Sequence, residues 1–125
     1  MASHSNRPVS PHLQVYKLPL TGIISISHRM TGVFLSAGLV FFVYLLSAIA
    51  GGIESYDALQ SLMNNWLVKF IIWGFIGSLF FHCCHGVRHL IWDAGRSFAK
   101  ETLDYYAKIE LAVAGALTLF TFLFL

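Results

Sequence analysis

An all-α bundle of three transmembrane helices is the fold this sequence predicts. Three stretches are apolar and almost free of charge over the roughly 20 residues that a helix needs to cross a hydrocarbon layer. The composition agrees, with 57% hydrophobic residues, 11% charged residues and a mean hydropathy of +0.69. Basic residues also gather on one side of the predicted spans, as membrane insertion favours.

Residues 1–30 form the predicted amino-terminal segment. Pro8, Pro11 and Pro19 stand among polar residues, so the first twenty residues read as extended or irregular chain on the membrane surface or against a partner. The segment has neither the basic-then-apolar layout of a secretory signal nor the Arg-rich pattern of an amphipathic presequence. The expectation is a retained amino terminus and direct insertion into a bacterial cytoplasmic membrane, with a mitochondrially encoded inner-membrane subunit as the alternative.

The first span is predicted at 31–51, where no charge occurs between Arg29 and Glu54. The second is predicted at 66–92, with Trp66 and Trp92 at the ends, where interfacial aromatics are favoured. The third is predicted at 105–125, and only Leu111 to Leu125 is uncharged. Lys108 and Glu110 are expected in the interface, their i, i+2 spacing preventing a direct pair. The whole chain, 1–125, reads as one membrane domain.

Arg7, Lys17 and Arg29 precede the first span, and Arg88, Arg96, Lys100 and Lys108 cluster about the second connection. The first connection, Gly52 to Asn65, carries Glu54 and Asp57 and no Lys or Arg. This bias places the amino terminus and the Arg88–Lys108 side in the cytoplasm. Gly32 with Ser36, and Gly74 with Ser78, are four apart and allow helix backbones to approach closely. A net charge of +2, thinly scattered, is too small to suggest a nucleic-acid partner, and none is expected. Cys83 and Cys84 are adjacent within an apolar run, a poor layout for a disulfide or thiolate metal site, and read as packing residues.

The second span carries the chemistry. His82, His85 and His89 lie in a stretch with no Asp, Glu, Lys or Arg between Lys69 and Arg88. Titratable groups at such depth are rare and usually functional, and imidazole points first to a buried cofactor or a proton path. On a helix His89 falls about 20° from His82 and about 10 Å along the axis, and His85 about 60° off that line. The separation suits a haem standing edge-on to the membrane, one imidazole on iron and the other near the propionates, with Gly86 leaving room for the macrocycle. Depth favours His82 as the iron ligand. His28 and Arg29 close the first span at the same level and can neutralise carboxylates or donate to a carbonyl oxygen. With one axial candidate per chain, a six-coordinate haem takes its second imidazole from another subunit.

Plainer roles stand beside these. His82 can be hydrogen-bonded to a helix carbonyl, and His85 can serve packing or a hydrogen bond. Arg29 and Arg88 can be span-end anchors, and Asp93 can pair with Arg88 or Arg96 or deliver protons.

The stretches RPVSPHLQVYKLP, SISHRMTG (Ser25 to Gly32) and HCCHGVRHLIWDAG (His82 to Gly95) together resemble the cytochrome b membrane-anchor subunit of succinate dehydrogenase, respiratory complex II. The resemblance covers most of the chain. It implies an anchor that binds haem b and ubiquinone, held with a second membrane subunit, an iron–sulfur subunit and a flavoprotein subunit, in contact with membrane lipid. The first His of the His-x-x-x-Gly-x-Arg-His pattern, the family's axial ligand, falls on His82. The resemblance places His89, His28 and Arg29 on the haem-propionate side and Ser25 and Arg29 at the ubiquinone. His85 departs from the pattern and offers a rival ligand. No residue of this chain is expected to act on succinate, since it has no flavin-binding glycine fingerprint and no cysteine set for a cluster. A fumarate reductase anchor is the nearest alternative, and a proton-relay or metal-binding membrane protein a more distant one.

Overall fold

The computed structural model describes residues 17–124. Four helices follow in order: α1 (Leu20–Ala50), α2 (Ile53–Met63), α3 (Trp66–Asp93) and α4 (Lys100–Phe124). Three of them, α1, α3 and α4, are long and apolar enough to cross a membrane. Among the described residues there is no strand. The expectation for residues 1–16 and for Leu125 lies outside the described residues.

The helix that carries the first predicted span begins at Leu20, eleven residues before residue 31. Pro19 is the N-cap, extended at φ −67° and ψ 156°, and helix begins at Leu20. Proline cannot donate to a preceding turn, but its fixed φ suits a helix entry. Ser25, His28 and Arg29 are therefore inside α1. Polar residues at the end of an apolar run mark where the hydrocarbon thins, not where the backbone stops being helical, and here part of that polar face packs against α3.

The helix that carries the second predicted span runs from Trp66 to Asp93. Asn65 caps α3 with its side chain, accepting from Leu67 N at 2.9 Å. The helix that carries the third predicted span, α4, begins at Lys100, five residues before residue 105. The α3–α4 turn runs through Gly95 (φ 75°) and Ser97 (φ 65°), the left-handed region in which glycine costs little and serine more.

The connection between the first two spans also differs, since it holds α2. Glu54 sits in its first turn, where a negative charge suits the helix dipole, and Leu59 is its buried residue. Gly52, at φ 90°, makes the turn between α1 and α2.

Helix approach depends on small residues more than on a large apolar core. A Cβ at Gly38 would stand 2.9 Å from the Phe75 ring, and one at Gly32 would stand 3.1 Å from His82 Cε1. Gly74 faces Phe34 more loosely, at 3.7 Å. The buried apolar side chains are Ile24, Ala48, Leu59, Ala107 and Ala114, whereas Leu39, Phe70, Leu90, Phe120 and many others face outward. A soluble domain reverses that distribution. An exterior of this kind suits lipid or partner helices, while His85, Arg88 and Glu110 are buried within.

Candidate haem and quinone site

Antiparallel packing sets the amino-terminal third of α1 beside the carboxy-terminal half of α3, with the first half of α4 behind. Four imidazoles meet there. The His28 ring stacks on His82 with centroids 3.9 Å apart and planes 16° from parallel. It also lies 4.6 Å from the His85 ring and 5.6 Å from the His89 ring.

His82 turns toward α1. Its Nδ1 is 3.2 Å from the backbone oxygen of His28 and 3.3 Å from Thr31 Oγ1. Thr31 itself donates to that same carbonyl at 2.9 Å, so its hydroxyl hydrogen is committed and its lone pairs face the ring. Both neighbours of Nδ1 are then acceptors, and Nδ1 must carry the hydrogen. In the neutral ring this leaves the lone pair on Nε2, which makes no hydrogen bond among the described residues.

His85 turns toward α4 and is 1% exposed. Its Nδ1 donates to Glu110 Oε1 at 2.9 Å, while Arg88 Nη1 donates to Glu110 Oε2 at 3.0 Å. Arg88 also donates to the Leu103 carbonyl, and its guanidinium stands 4.8 Å over the Trp92 ring. Each charge at this depth thus has a partner, as burial requires. The hydrogen-bonding role foreseen as one possibility for His85 is the one realised.

Several single-residue expectations change. Arg88 is 5% exposed and paired inward, so it is not a simple span-end anchor. Glu110, expected in the interface, is instead buried within the bundle at 6% exposure, whereas Lys108 is exposed. Asp93 is exposed and does not pair with Arg88 or Arg96. Cys83 is exposed and Cys84 half-buried, both as free thiols, so only Cys84 packs within the chain.

Ser25 is half-buried and Arg29 exposed, four residues apart and hence on one face of α1. His89 is exposed, within 5.0 Å of the Trp92 ring. At Gly86 a Cβ would meet nothing within 4 Å, so the space beside α3 is open there. A cleft of about 360 Å³ between α3 and α4 is lined by Val87, Arg88, Ile91, Tyr106, Glu110 and Val113 among others, and by none of His28, His82 or His89.

Sequence reasoning missed Glu110 and Thr31 as parts of the site. A carboxylate near the start of an apolar span was the available signal for Glu110, since such a residue is a functional candidate by default. Thr31 carried no signal of its own.

Residues 3–124 match the family model described as succinate dehydrogenase/fumarate reductase transmembrane subunit. The chain belongs to that family. The succinate dehydrogenase cytochrome b556 subunit of Paracoccus denitrificans is 36% identical over 117 residues, covering 94% of this chain and 88% of the relative. The cytochrome b560 subunit of Reclinomonas americana is 36% identical over 122 residues, covering 91% and 83%. The mitochondrial cytochrome b560 subunit of Sus scrofa is 39% identical over 109 residues, covering 86% and 64%. This membership explains why the apolar exterior is so large: a transmembrane subunit of succinate dehydrogenase is one piece of a larger assembly.

Proposed function

We propose that this chain is the haem b-binding membrane anchor through which succinate dehydrogenase delivers electrons from its iron–sulfur subunit to ubiquinone. One observation carries the reading: α1 holds the Nδ1 side of His82 through the His28 carbonyl and Thr31, which leaves Nε2 free to coordinate. Metal-bound histidines are oriented in this way by an acceptor on the opposite ring nitrogen. Haem, when bound, supplies a one-electron centre in the bilayer.

The residues fit that group. His82 would hold the iron, and His28, Arg29 and His89 would meet the propionates. The open space at Gly86 admits a flat macrocycle. A second histidine would come from another membrane subunit, because His85 is 1% exposed and its Nε2 is enclosed within the bundle.

Ser25 and Arg29 serve the quinone. Their shared face on α1 lets a hydroxyl and a guanidinium donate to one carbonyl oxygen, and the fixed positive charge stabilises negative charge as it develops there. Orientation follows the charge bias, with the amino terminus and the Arg88–Lys108 side cytoplasmic and the whole in the inner membrane. The names of the relatives favour succinate oxidation over the fumarate reductase alternative.

The test compares two acceptors in the assembled complex. Arg29→Ala is expected to lower quinone reductase kcat/KM by roughly tenfold to a hundredfold, the loss of one charged hydrogen bond. Succinate oxidation by a soluble artificial acceptor should persist. Equal loss of both activities contradicts a quinone role.

A further inference from the structure

Glu110 touches neither His82 nor the α1 groups that hold it, yet a continuous set of contacts links them. Its carboxylate fixes the His85 ring through the 2.9 Å bond to Nδ1. The His85 ring packs at 4.6 Å on His28, and His28 stacks at 3.9 Å on His82. Among the described residues the His28 ring makes no hydrogen bond, and its Nδ1 is buried without a partner. Its ring is therefore held by packing between neighbours, and the neighbour on the α4 side is the one that Glu110 locks.

We infer that Glu110 is a positioning residue for the His82 imidazole, acting across three helices through His85 and His28. The inference rests on His82 as the haem ligand. Arg88 completes the device by occupying the second carboxylate oxygen at 3.0 Å, which stops the Glu110 side chain from swinging away from His85. His85, the departure from the family pattern, is on this account a support for the ligand and not its competitor. Its Nε2 is enclosed within the bundle, without a partner among the described residues.

The experiment uses the assembled complex in detergent, with haem loss to apomyoglobin and the low-spin ferric haem EPR signal as readouts. A direct outer-sphere partner of a metal-bound histidine is worth about tenfold to a hundredfold in affinity, so Glu110→Ala and His85→Leu, acting further out through packing, should each speed haem loss by roughly threefold to tenfold and shift the EPR signal. Because both break one chain of contacts, the double variant should match the worse single one within about twofold. Thr118→Ala, on the same helix, should match the unaltered protein.

Haem loss and EPR signal indistinguishable from the Thr118→Ala control, or a double variant whose effects multiply, overturns the positioning role. Should Glu110→Ala fail to assemble, Glu110→Gln takes its place with the same expectation, since an amide oxygen cannot accept from both partners in the same way. His82→Ala separates this inference from the reading beneath it: haem retained there sinks the site itself, whereas haem lost there with Glu110 and His85 variants unaffected sinks only the positioning role.

Discussion

Glu110 and Arg88 face each other across α4 and α3 at 3.0 Å, both nearly sealed from solvent. The pair costs desolvation on each side, and its attraction offsets that cost only while both members remain. Arg88→Leu should therefore destabilise the detergent-solubilised complex by about 3–5 kcal/mol, and Arg88→Leu/Glu110→Leu should recover most of it. Thermal denaturation of the two variants checks this. A double variant as unstable as the single would mean that the pair is not the source of the loss.

Gly32 sets the distance between α1 and His82. A Cβ there stands 3.1 Å from Cε1, so a methyl group demands a shift of a few tenths of an ångström from a ring already held at the adjacent Nδ1. Gly32→Ala should lower haem content modestly and Gly32→Val severely, with overpacking costs of about 1–3 kcal/mol. The haem-to-protein ratio of the purified complex reads the difference. Equal content in all three forms would show that the ring is not confined there.

Thr31 is one of two acceptors facing His82 Nδ1. Thr31→Val keeps the shape and removes the oxygen, leaving the His28 carbonyl to hold the ring alone. The expected outcome is a weaker haem site, by about tenfold at most, with assembly preserved. Haem loss to apomyoglobin measures it. A loss as complete as that from removing His82 would contradict the shared arrangement.

The three spans were legible because run length and charge exclusion are one-dimensional properties. The start of α1 was not: Arg29 and His28 look like the edge of a span, and nothing local shows that helix continues back to Pro19 against α3. The helical wheel placed the three histidines of α3 on one side and set His85 apart from the His82–His89 line, and the fold turns that angle into different partners, α1 for His82 and α4 for His85. Glu110 and Arg88 were both visible as charges near span ends. Their pairing depends on the register of α3 against α4, which sequence separation hides. α2 was hidden for another reason, since a short amphipathic helix with one buried leucine has no long periodic pattern.

Haem content of the assembled complex after His82→Ala and after His85→Ala tests the central claim most directly. The reduced-minus-oxidised spectrum should lose its b-type bands with His82→Ala and keep them, with haem held less firmly, with His85→Ala. Bands that survive the first substitution and vanish with the second would contradict it.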